Sequence, residues 1–346
     1  MNVSALYLAA KNNNVDVIQL LLPESGNTIN EDACKKCAQL SEISLPLNIT
    51  VIQTSAFYGC TSLSKITLSS TLVHIAQYAF YDCSSLQEIE IPKSVNFIGQ
   101  FAFHGCSSLK QAILHCSILF ISDHSFEGCI SMKFIQIPST VTKIGSFALT
   151  GCISLKTIRI PASTLSIGYS SFRGCTSLKQ VIFDSPSNVS LFDMHAFRDC
   201  YGLTKITIPD SVKVIGMCAF WRCVSLTEIE IPSSVVEIGE YAFSQCTSLV
   251  NVSLPSSITE ILEGTFSSCS AMKTITIPST VTSIGELAFA ECSSLLKVTV
   301  PFFVTEIKSE AFRKCISLEM ISIPSNLTNI AKDAFPEETS VVKRTS

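Results

Sequence analysis

Ala219-Phe220-Trp221-Arg222-Cys223-Val224-Ser225-Leu226-Thr227-Glu228-Ile229-Glu230-Ile231-Pro232-Ser233-Ser234-Val235-Val236-Glu237-Ile238-Gly239 is one period of a repeat. Its cysteine recurs at Cys37, Cys60, Cys83, Cys106, Cys129, Cys152, Cys175, Cys200, Cys223, Cys246, Cys269, Cys292 and Cys315. The interval is 23 residues throughout, except the 25 between Cys175 and Cys200. A fixed period of this size means an array of stacked units in which each coil packs only on its neighbours.

Positions counted from the cysteine carry the coil. A Phe stands three residues before it, as in Phe57, Phe80, Phe103 and Phe220, with Leu149 and Cys34 as substitutes. Leu or Met follows three residues after, as in Leu63, Leu226, Met132 and Met272. Aliphatic residues at +6 and +8, as in Ile89 and Ile91, alternate with polar ones such as Glu90, which predicts a short strand buried on one face. Pro follows at +9 in ten repeats and closes that strand, because it has no backbone donor. A second aliphatic pair stands at +12 and +15, as in Val95 and Ile98. Gly99, Gly145, Gly216, Gly239 and Gly285 come next and are read as turn residues. The A-F-x-x-C stretch is read as one turn of helix or 3₁₀. A single coil buries too few large side chains to offset the entropy of ordering it, so stability must come from stacking.

The chain has 346 residues, a net charge of −4 and 15% charged residues. That balance argues against a general nucleic-acid binder, which would carry a basic excess. Mean hydropathy is +0.41, yet no apolar run reaches the length of a transmembrane helix. Met1 to Ala10 lacks a basic start, and Lys11-Asn12-Asn13-Asn14 breaks the apolar run, so no secretory signal is read.

The pattern A-F-x-x-C-x-S-L-x-x-I-x-I-P-x-S-V-x-x-I-G resembles the BspA-like leucine-rich repeat family across residues 33–335. The resemblance implies a leucine-rich-repeat superhelix, β-dominated with short helical or 3₁₀ turns. It also implies a relationship to surface antigens and adhesins that bind host or matrix proteins, known in bacteria and expanded in parasitic protists. Residues 1–32, with Ala5-Leu6-Tyr7-Leu8-Ala9-Ala10 and Val15-Asp16-Val17-Ile18-Gln19-Leu20, resemble the helix pair of an ankyrin repeat and are expected to cap the first coil. Residues 336–346 are expected to form a loose tail.

Candidate chemistry is sparse. Cys34-Lys35-Lys36-Cys37 has metal-ligand spacing but lacks the second pair of ligands a zinc site needs, and the repeat itself accounts for both cysteines. Equivalent cysteines on stacked coils point in parallel at a spacing long for a disulfide, so they are read as buried free thiols. His74, His104, His115, His124 and His195 fall at different phases. No catalytic triad, phosphate loop or zinc-protease motif is present. The sequence therefore gives no enzyme, no cofactor and no metal site. It predicts a non-enzymatic protein-binding scaffold with an unidentified protein partner, placed in the cytoplasm and belonging to a larger assembly. The alternative is a cell-surface antigen or adhesin exported by an unconventional route. A carbohydrate binder is a third reading, resting on scattered aromatics.

Two strips are candidates for the contact. One is the variable position two residues before each cysteine, with Tyr58, Tyr81, His104, Arg173, Arg198, Trp221 and Arg313, which is expected to face solvent. The other is the open strand face, with Phe134, Arg159, Ile182 and Met320. The turn Asp184-Ser185-Pro186-Ser187 in the 25-residue repeat is expected to interrupt the strip.

Overall fold

The computed structural model describes residues 3–21 and 26–345. The repeats form a β-solenoid with almost no helix. Most coils place the predicted strand within +5 to +8, with alternating burial, as in Glu88–Ile91, while the coil after Cys200 has none there. They also place a second, two-residue strand at +14 and +15, as in Phe97–Ile98. Where they pair, both do so in parallel with the same positions of the next coil. Ile89 stands beside Ala112, and His74 beside Phe97.

The chain divides into two compact units. The first comprises Met1–Thr164, Ser171–Leu178 and Phe183–Ser185, and the second Leu165–Ser170, Lys179–Ile182 and Pro186–Ser346. The changeover thus falls in the stretch that carries the 25-residue repeat. In each unit the interior is a column of Phe rings. Phe57, Phe80 and Phe103 stack at 5.2 Å centroid spacing in the first, and Phe220, Phe243 and Phe266 at 5.4 and 5.6 Å in the second. All sixteen cysteines are buried and free.

The A-F-x-x-C stretch is not helical. It is a chain of reverse turns in which alternate N–H groups leave the coil. Ala56 N–H bonds Gln53 O at 3.3 Å and Cys60 N–H bonds Phe57 O at 3.2 Å, closing two turns. Ser55, Phe57 and Gly59 instead donate to Gln77, Ala79 and Tyr81 of the next coil at 3.1, 2.8 and 2.7 Å. A helix would keep those donors inside the coil and leave the stack without them. The geometry puts Ser55 (φ 55°) and Gly59 (φ 70°) in the left-handed region, at the third position of each turn, as type II turns require.

The glycine after the second strand has a different role from the one expected. Gly285 does not have positive φ. A Cβ there would lie 2.7 Å from the backbone carbon of Leu262 in the preceding coil, so glycine is needed for close approach of two backbones.

Two short helices, α1 (Val3–Lys11) and α2 (Val15–Leu21), pack on each other and against the first coil. Asn14 caps α2 by accepting the Val17 N–H at 3.2 Å. The Asn13 side chain between them accepts the Ser41 N–H at 3.1 Å. Thr28–Ile29 already pairs with Val51–Ile52. The tail also departs from expectation. Ser340–Arg344 is a strand, paired in parallel with Met320–Pro324, because that strand would otherwise offer a free edge.

Candidate docking surface

The column two residues before the cysteine is half-buried at Tyr58, Tyr81, His104, Arg173, Arg198 and Trp221, and exposed at Arg313. Coils about 4.8 Å apart let flat groups on successive coils lie face to face. Tyr58 stacks on Tyr81 at 4.7 Å, and Tyr81 on His104 at 4.5 Å. In the second unit the Arg198 guanidinium lies 3.8 Å from the Trp221 ring centre. Arg222, also half-buried, bonds Asp199 at 3.1 Å. Arg313 pairs with Glu310 at 2.8 Å. On the strand face, Phe134 and Met320 are exposed, Ile182 is half-buried, and Arg159 reaches Asp184 at 2.7 Å. The structure does not gather the nine candidates into one site. It brings together Tyr58, Tyr81 and His104, and separately Arg198 and Trp221.

The first unit holds a larger group that the sequence reading missed. Five residues before each cysteine stand Tyr78, Phe101, His124 and Phe147, all with positive φ. Their rings stack at 5.0, 4.2 and 4.6 Å. This row joins the other through Tyr78 edge-on to Tyr81 at 5.7 Å and through His124 Nδ1, 2.5 Å from Glu127 Oε2. Burial, then the Asp82 carboxylate, pushes the Tyr81 phenol above its usual pKa. The signal was present as aromatic residues spaced 23 apart, two residues before Phe80, Phe103, Phe126 and Leu149.

Alongside lies the second-strand row. Phe97 is 46% exposed, Leu119 54% and Phe120 54%. A shallow groove of about 440 Å³ runs between Phe97 and Phe120, floored by Gly99 and edged by Gln100, Asp123 and Lys143. His74 stacks on Phe97 at 4.5 Å, and burial lowers its pKa. Residues 97–101 and 120–124 connect this groove to the stacked aromatic row along the chain. A flat apolar surface edged with mixed charge suits a macromolecular contact.

The thiols are not part of a reactive centre. Burial pushes the Cys60 and Cys246 thiols up to about 12, far from the thiolate form that reacts or binds metal. Among the described residues no group of three or more His, Cys, Asp or Glu side chains is arranged to hold a metal ion.

Parallel short strands, a stacked Phe column and a 23-residue coil define a leucine-rich repeat protein. The family described as BspA type leucine rich repeat region matches in six copies, over residues 12–129, 98–227 and 213–342, and the chain belongs to that family. A leucine-rich repeat protein from Bacteroides ovatus is similar at 26% identity and TM-score 0.61, over 92% of this chain and 87% of that one. A leucine rich cell surface protein from Faecalibacterium prausnitzii is similar at 32% identity and TM-score 0.55, over 82% and 78%. The pneumococcal vaccine antigen PcpA shares the fold at 22% identity and TM-score 0.55, over 88% and 74%. No curated protein matches. The N-terminal helices have no support as an ankyrin repeat, since the family match itself begins at residue 12.

Proposed function

We propose that the protein is a non-enzymatic binding scaffold that holds a protein partner on the aromatic face of its first unit. The observation that carries this is the exposure of Phe97 and Phe120 on one groove, with exposed Leu119 next to Phe120 in the chain. Rigid aromatic side chains supply contact area at small entropic cost. Tyr58, Tyr81 and His104 extend the same face. Arg173, Arg198, Trp221, Arg313, Phe134 and Arg159 remain secondary candidates. Residues 1–32 serve as a helical cap, 33–335 as the array and 336–346 as its closure.

The test is affinity purification with quantitative mass spectrometry, comparing the wild-type chain with Phe97→Asp/Phe120→Asp. Val236→Asp, on an exposed site of the second unit, is the control. Loss of one partner in the first variant and its retention in the control is the expected result. An unchanged partner set in the first variant refutes the reading.

Sixteen free thiols support a reducing, cytoplasmic setting. Display on a cell surface is the second reading, supported by the similarity to a cell surface protein. Biotinylation of intact cells separates the two.

A further inference from the structure

Three grooves lie on the face of the longer strands, and they differ in charge. The first contains Lys65 and Lys93 together with Glu88 and Glu90. The second contains Lys205 with Glu228, Glu230 and Asp210, and Lys205 bonds Glu228 at 2.7 Å. In the first, carboxylates match the cations, and in the second they outnumber the one lysine. The third groove, near the C-terminal end of the second unit, measures about 580 Å³. Its lining includes Lys297 and Arg344 but no Asp or Glu. Lys297 forms no ion pair among the described residues. Thr274, Thr276 and Thr299 supply hydroxyls, and Phe302, 44% exposed, supplies a ring at the edge.

Arg344 reaches this groove only because the last strand pairs with Met320–Pro324. Its guanidinium Nη2 donates to Val300 O, across the width of that strand. One donor is thus spent on anchoring the group, and the guanidinium keeps further N–H donors. Two cations with no facing carboxylate, a row of hydroxyls and an accessible phenyl ring are the parts that recognise an anion joined to an apolar body.

We propose that this groove binds a phosphate or carboxylate group carried on an apolar ring. Lys297 and Arg344 take the anion, the threonine hydroxyls donate to its remaining oxygens, and Phe302 packs on the ring. The group is carried either by a small molecule or by a side chain of another protein. The site lies in the second unit and does not depend on the aromatic face of the first.

Calorimetric titration of the full chain tests this with phenyl phosphate, inorganic phosphate and a phosphotyrosine peptide. Phenyl phosphate is expected to bind tighter than inorganic phosphate. Lys297→Met and Arg344→Gln are each expected to weaken it by about ten-fold, the scale of one charge-assisted contact. Lys297 is exposed on its strand, so its variant keeps the fold. Phe302→Ser is expected to remove the preference for phenyl phosphate over inorganic phosphate. Peptide binding at least as tight as phenyl phosphate assigns the anion to a protein, and phenyl phosphate binding alone assigns it to a small molecule. Absence of saturable phenyl phosphate binding at millimolar concentration, or affinity unchanged by Lys297→Met, overturns the proposal.

Discussion

The Cys106 thiol donates to the carbonyl of Phe80, 3.2 Å away and 26 residues earlier in the chain. The same bond recurs from Cys83 to Phe57, from Cys129 to Phe103 and from Cys246 to Phe220. The cysteine is therefore a small apolar filler and also a second donor to a carbonyl that already accepts a backbone N–H, as Phe80 O does from Cys83 at 3.2 Å. Alanine at this place keeps the size class but loses the donor. Cys106→Ala is expected to cost about 1 kcal/mol, from a small void and the loss of a weak second hydrogen bond to Phe80 O. Cys218→Ala, outside the column, is expected to stay within about 0.5 kcal/mol. Urea unfolding followed by circular dichroism measures both.

Stability should fall in alkali. Burial raises the folded pKa of the column thiols, to about 12 at Cys60, Cys175 and Cys315. In the unfolded chain a thiol titrates near 8.5. Above that pH the unfolded state binds fewer protons than the folded one, so unfolding becomes easier as pH rises. The thiols' contribution is fully present below about pH 8.5 and is lost toward pH 12, at up to about 1.4 kcal/mol per thiol per pH unit. Denaturant midpoints at pH 7.5, 9 and 10 are expected to fall steadily. A thiol reagent at pH 8 should react slowly with the folded chain and fully with the denatured one.

Two glycine substitutions separate close approach from backbone strain. Gly285→Ala would set a Cβ 2.7 Å from the Leu262 backbone, so the coils must part, at a cost of more than about 2 kcal/mol. Gly151 has φ +72° and only the Gly128 backbone nearby, at 3.9 Å. Gly151→Ala meets the left-handed strain alone, about 1 kcal/mol. Equal losses in thermal or urea unfolding would contradict this assignment.

Removing residues 340–346 strips the strand that pairs with Met320–Pro324. Amide exchange across 320–323 is expected to accelerate, while exchange at Phe220 and Phe243 stays unchanged, because coils interact mainly with their neighbours. Concentration-dependent association is expected to rise as the exposed edge seeks another strand.

Much of this architecture was legible in the chain. The 23-residue spacing of Cys and Phe determined the stacking, since equivalent side chains must share one environment in every coil. The alternation around Ile89 and Ile91 gave the longer strand and its buried face. The two-residue strand at Phe97–Ile98 offered no alternation to read, so it went unseen.

Other features depend on the coil above or below, and local sequence does not carry that information. Alternate amides of the A-F-x-x-C stretch take partners one coil away, which converts an apparent helical turn into a ladder. Tyr58, Tyr81 and His104 lose their expected exposure because their rings lie flat on one another across successive coils. Arg344 joins Lys297 and Phe302 only after the last strand has paired. The sequence by itself determined the coil, its period and its interior. The tertiary structure alone decided which outward residues meet, because that depends on spacing between coils.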